Sequence, residues 1–110
     1  MPDERVFLLA DEIVRRESGW KHDICNRTTS DGCAAGQGLF QVVYGTERTC
    51  EGHFGREMDM LDAYDNIDCG VWLLTANGVR QGIGHWDSFG RLYNGRAWGS
   101  GPYDLSLYAL

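Results

Sequence analysis

The chain of 110 residues predicts one domain spanning 1–110, mainly α-helical, with a minimal β region and a groove for substrate. Three observations predict this. Apolar residues recur at helical spacing in "VFLLADEIVRRE" and again at Ile67, Val71 and Leu74. Strand-like runs are few and short. Glycine-rich loops separate the periodic segments, with 15 glycines against an average usage of about 7%. The length suits a single core and is too short for two.

The first helix is expected from about Asp3, an N-cap after Pro2, to Ser18. On a wheel counted from Val6, residues Leu9, Ala10, Ile13 and Val14 fall between roughly −60° and +80°. Glu17 falls at about +20°, in the middle of that apolar stripe, whereas Asp11, Glu12, Arg15 and Arg16 lie outside it. A carboxylate so placed loses hydration, which disfavours its ionised form and raises its pKa. An acid that keeps its proton near neutral pH is what general-acid chemistry needs. The plainer alternative is a helix that stops at Gly19 with Glu17 turned back to solvent.

A loop follows, "WKHDICNRTTSDGCAAGQ", dense in turn formers. "GLFQVVYG", from Gly38 to Gly45, reads as a short strand or buried turn. From Thr46 to Tyr64 the signal is weak, with a short helix around "MDMLDAY" the best reading. A firmer helix begins near Asn66 and stops at Asn77-Gly78. After a second glycine-rich turn, "NGVRQGIGH", Asp87 can cap a short helix carrying Phe89, Leu92 and Tyr93, and the tail restarts at Pro102.

Composition excludes several function classes. The 43% of hydrophobic residues form no run long enough to span a membrane, and no signal peptide is evident. A net charge of −6 without a basic patch argues against nucleic acid, and also gives no help toward an anionic polymer. Four cysteines suggest two disulfides and an oxidising compartment. Of the three pairings, Cys25 with Cys33 and Cys50 with Cys69 are preferred. Zinc is the competing reading, through His22 with Cys25 and Cys50 with His53, and free thiols are a third.

Three separated pieces carry candidate chemistry: Glu17-Ser18, Gly38-Leu39-Phe40-Gln41 and Tyr93-Asn94-Gly95. In this order they resemble the lysozyme-like superfamily, specifically the soluble lytic transglycosylase domain and the goose-type lysozymes. The pattern there is Glu-Ser at a helix end, then Gly-Leu-Met-Gln, then Ala-Tyr-Asn; here Phe40 stands for Met and Leu92 for Ala. "NIDCG", Asn66 to Gly70, looks like the Asn-Ile-x-x-Gly helix start of the same family, so the resemblance spans nearly the whole chain.

The resemblance implies an α+β lysozyme-like fold and cleavage of the β-1,4 bond between N-acetylmuramic acid and N-acetylglucosamine in peptidoglycan. Glu17 would be the acid and then the base, giving a 1,6-anhydromuramoyl product. Tyr93 would orient the carboxyl or steady developing charge, while Ser18, Gln41 and Asn94 would bind sugar substituents. Trp20, beside the glutamate, is a candidate for stacking on a sugar ring. An inverting hydrolase is the alternative, with Asp31 or, less well placed, Asp23 activating water; Val43 stands where relatives carry a second candidate aspartate. A non-catalytic glycan-binding or structural module is the alternative of another class. No cofactor or metal is expected, a monomer is, and the setting is extracytoplasmic: secreted, periplasmic or virion-associated.

Overall fold

The computed structural model describes residues 4–26, 33, 35–87, 91–93, 96–98 and 102–110. Helix α1, Glu4–Ser18, buries Val6, Leu9, Ala10, Ile13, Val14 and Ser18, so the stripe drawn by the wheel is the face that enters the core. A two-residue antiparallel hairpin follows, β1 (Cys25–Asn26) against β2 (Gly36–Gln37), in the register Cys25↔Gln37. Helices α2 (Tyr44–Phe54), α3 (Ala63–Thr75) and the single turn α4 (Val79–Gly82) come next, and a 3-10 turn, Ile83–His85, continues α4. A second hairpin joins β3 (Arg91–Tyr93) to β4 (Arg96–Trp98), and a 3-10 turn, Leu105–Tyr108, ends the chain. The domain is thus mainly helical with a small β content, as the sequence predicts.

The segment 37–42 is the centre of the molecule. Gln37 and Val42 exchange backbone hydrogen bonds, closing a tight loop. Inside it Leu39 and Phe40 are buried. Asn66, fully buried on α3, pins this loop: its Nδ2 donates to Gln37 O at 2.9 Å and Met60 O at 2.8 Å, and its Oδ1 accepts from Phe40 N at 2.8 Å. The Trp86 indole donates to Phe40 O at 2.8 Å, and its ring lies 5.4 Å from the Phe40 ring. Gly38 takes φ +69°, where a side chain would overlap Met60 O and Asn66, so only glycine fits.

Gly70 is the other position that close approach decides. A methyl group there would lie inside the van der Waals envelope of the Phe40 ring. The substitution Gly70→Ala is therefore expected to destabilise the domain by about 1–3 kcal/mol through overpacking, read as a lower urea midpoint with unchanged slope. A midpoint equal to the wild type would show that Phe40 is not held against α3.

All four cysteines are disulfide-bonded, Cys25 to Cys33 and Cys50 to Cys69, the two preferred pairings. The first crosses the β1–β2 loop and the second ties α2 to α3. With every sulfur so engaged, no thiolate remains for zinc. His22 instead lies with Nδ1 2.9 Å from Leu61 O, and His53 stacks on Trp72 at 4.1 Å. Disulfides point to an oxidising compartment. Among the described residues no helix is long and apolar enough to cross a membrane.

Three elements differ from expectation. Residues 38–41 form the buried turn that the sequence offers beside a strand, whereas α2 starts at Tyr44, over a stretch with little helical signal. The reason is that α2 fully buries one residue, Cys50; it is held by the disulfide and by Gln37 Nε2 donating to Glu47 at 2.9 Å, long-range contacts without a periodic signature. Residues 57–62 are not helical, since Met58 N is held by Glu51 and Asp59 N by Asp65; α3 then begins at Ala63, capped by Asp62, whose carboxylate accepts from Asp65 N at 3.0 Å. Arg91–Tyr93 is a strand, not the end of a helix from Asp87. The pair Tyr93↔Arg96 flanks the dipeptide Asn-Gly, the strongest short hairpin signal, and that signal outweighs the apolar spacing.

On the outer face of α1, Glu12 accepts hydrogen bonds from Arg15 and from Arg16 (Nε, 2.9 Å). These bonds, Arg15 first, hold its carboxyl down to about 2 from an ordinary 4.5. A carboxyl depressed by folding contributes stability above its unfolded pKa, and that contribution is lost as pH falls through the folded one. The urea midpoint of the wild type should therefore fall between pH 4.5 and 2 more than that of Glu12→Gln. The side chains face water, so the difference should stay below about 1 kcal/mol. Parallel pH curves for the two proteins would show that the cluster adds nothing.

Candidate active site

Glu17 sits in the last turn of α1, half-buried. It lines a cleft of about 290 Å³ together with Ala35, Gln41, Val42, Val43, Thr46, Leu73, Gly84, His85 and Trp86. The cleft is therefore assembled from α1, the central loop, the start of α2, the last turn of α3 and the turn after α4. Helical periodicity puts Glu17 on the inward face of α1, and the helix ends there because Gly19 takes φ +60°. Leu73, Val42 and Trp86 are buried, so much of the wall beside the carboxyl is apolar.

Gln41 is the second motif residue in the cleft. Its backbone is left-handed, φ +51°, and its amide is tightly engaged: Nε2 donates to Gly38 O at 2.9 Å and Ile24 O at 3.4 Å, and Oε1 accepts from Asn26. These bonds weld the central loop to β1. Gln41 thus supplies shape to the cleft wall, with its amide used in holding it.

The remaining candidates are placed differently. Ser18 is buried and its hydroxyl donates to Val14 O at 3.1 Å, within α1. It does not line the cleft. Trp20, with φ +66° and 52% exposed, lines a separate apolar groove with Phe7, Val14, Phe40, Ile67 and Val71. Asp23 is exposed. Tyr93 is on β3, paired with Arg96. Asp31 and Asn94 lie outside the described residues. Val43, at the position where a water-activating aspartate was considered, does line the cleft and cannot serve as a base.

Two cleft residues were not legible beforehand. Thr46 opens α2, a helix the sequence barely signals, and His85 belongs to a turn that reads only as glycine-rich. The pairing of "GH" with the following tryptophan was the one available hint. Partial desolvation lowers the pKa of His85 from 6.5, although much of the residue remains exposed. No other described residue hydrogen-bonds to its ring. The ring meets Trp86 edge-on at 5.7 Å, and Trp86 is itself locked to Phe40.

A second cavity lies on the far side of Gln37, lined by Tyr44, Glu47, Arg48, Met58, Asp59 and Met60. Burial there pushes the Glu47 carboxyl up, partly offset by its bond from Gln37 and reinforced by the nearby Glu51. Glu47 is engaged in anchoring α2, which makes it a structural acid. No group of three or more metal-ligating side chains occurs among the described residues.

Comparisons with family models, with curated proteins and with solved structures find no match for this chain.

Proposed function

We propose that the domain is a glycosidase of the lysozyme-like kind, cleaving the β-1,4 bond between N-acetylmuramic acid and N-acetylglucosamine in peptidoglycan, with Glu17 as general acid. The observation that carries the reading is the convergence of separated motifs. Glu17, from one end of the chain, shares a cleft with Gln41 of the Gly-Leu-Phe-Gln stretch and with Val42 and Val43, which follow it. Much of the wall beside the carboxyl is apolar, from Val42, Leu73 and Trp86.

Cleavage needs an acid to protonate the leaving oxygen and a means of stabilising or trapping the oxocarbenium-like centre. Glu17 meets the first need. For the second, the substrate's N-acetyl oxygen can assist and Glu17 can then return as base, closing a 1,6-anhydro ring; alternatively water is activated by another group. The acid is common to both routes, and their products differ by one water. Tyr93 and Asn94 keep the roles of orienting group and sugar ligand within this proposal. Disulfides and a wall substrate together support a setting outside the cytoplasm, secreted, periplasmic or virion-associated, for a monomer acting without a cofactor. Clearing of purified cell walls by the wild type, followed by product mass, tests the assignment. Walls left intact by the wild type would refute it and favour a module that only binds glycan.

A further inference from the structure

Resting on Glu17 as the acid, we infer that His85 is the base that activates water in this cleft, so that the glycosidic bond is hydrolysed with inversion instead of closing to an anhydro sugar. Inversion requires a base separated from the acid, with room for a water at the anomeric carbon. His85 and Glu17 reach the cleft from separate elements, the 83–85 turn and α1, and the cleft's volume of about 290 Å³ is on the order of ten liquid-water volumes. Among the described residues no carboxylate besides Glu17 lines it. Val43 removes one of the carboxylate positions from which water would otherwise be activated.

The ring is suited to the task. It lines the cleft and has no described hydrogen-bond partner, and the turn that carries it is fixed through the bond of Trp86 to Phe40. Partial desolvation favours its uncharged form. Among elements packed on this turn, α4 carries Arg80, which is directed to Leu110 O at 3.0 Å. Helix α3 meets Gly82 through Leu73 and Leu74, which are apolar. Glu17 faces the same cleft from α1, and Asp87 follows on the chain itself.

In the step, water loses a proton to the neutral imidazole as its oxygen bonds to the anomeric carbon. The bond from that carbon to the bridging oxygen breaks, and the bridging oxygen takes the Glu17 proton. Imidazolium and carboxylate remain, and one proton returned through solvent from His85 to Glu17 restores the starting state. No oxidant, reductant or co-reactant other than water takes part.

The test uses wild type, Glu17→Gln, His85→Asn and His85→Ala on purified walls in ¹⁸O-water, each first checked for folding by circular dichroism. Wild type should release reducing-end fragments carrying one ¹⁸O. Both His85 variants should fold, because the ring holds no described hydrogen bond, and should lose about 100-fold or more in kcat. The wild-type kcat/KM should fall on the acid side as the imidazole charges, at a pH below the ordinary histidine range, and the residual activity of the variants should lack that limb. Anhydro products free of ¹⁸O, or His85→Asn at the wild-type rate while Glu17→Gln is dead, would overturn the role of His85 and leave Glu17 intact. An inert wild type, or an active Glu17→Gln, would remove the acid and this inference with it.

Discussion

Glu17→Gln should abolish the release of soluble fragments from cell walls, by about 10²–10⁴-fold, the usual contribution of a positioned general acid. The change keeps size and shape and removes the transferable proton. Glu17 is half-buried at the end of α1, and Gln can occupy the same space. Stability should therefore move by less than about 1 kcal/mol, and a lost activity could not be blamed on unfolding. Among the described residues the cleft offers no substitute. Its other polar side chains are Gln41, whose amide is engaged in the loop, Thr46, a poor acid, and His85, whose lowered pKa favours the neutral ring. Fragment release by Glu17→Gln equal to the wild type would turn the domain into a glycan-binding or structural module that happens to keep a carboxyl in its groove.

The largest structural effect should come from Asn66→Ala. The side chain is fully buried, and its three hydrogen bonds satisfy the Phe40 N–H and the carbonyls of Gln37 and Met60. Truncation would leave the Phe40 N–H and the Met60 carbonyl buried without partners, each costing about 1–3 kcal/mol, while Gln37 O keeps its bond from Val42 N. Some of that is recovered by relaxation or an entering water, so a net loss of about 3–5 kcal/mol is expected. That is a large part of the stability of a domain this size. Asn66→Asp should not rescue it, because an ionised carboxylate facing two carbonyls donates nothing. The cleft should suffer too, since Gln41 and Val42 follow directly on the pinned Phe40. A urea midpoint within error of the wild type would mean that the central loop is held by Trp86 and packing alone.

These two residues show what one-dimensional reading can and cannot reach. Glu17 stands out in the sequence because a helix has a fixed period, and a charged residue in the apolar stripe breaks it. Asn66 gives no such signal: its partners lie 26, 29 and 6 residues away, and nothing in its neighbours names them. The disulfides were legible for a simpler reason. Four cysteines allow few pairings, and the chosen ones close short loops. Helix α2 was not legible, because it is held by Cys50–Cys69 and by Gln37–Glu47 more than by an apolar face. Over Arg91–Tyr93 the apolar spacing suggests helix, yet the Asn-Gly turn makes a strand.

The sequence alone determined a mainly helical single domain, the inward face of α1 with Glu17 at its end, and two cysteine pairs. Those features follow from local periodicity and from loop closure, which act along the chain. Only the tertiary structure decided which side chains share a cleft with Glu17. It brought Gln41, Thr46 and His85 there, and it turned Ser18 back into α1 and Trp20 toward a different groove. The physical reason is that a cleft is formed where helices and loops distant in sequence fail to fill space between them. Which residues border that space depends on how Asn66, Gly70 and Trp86 seat the central loop, and no single segment contains that information.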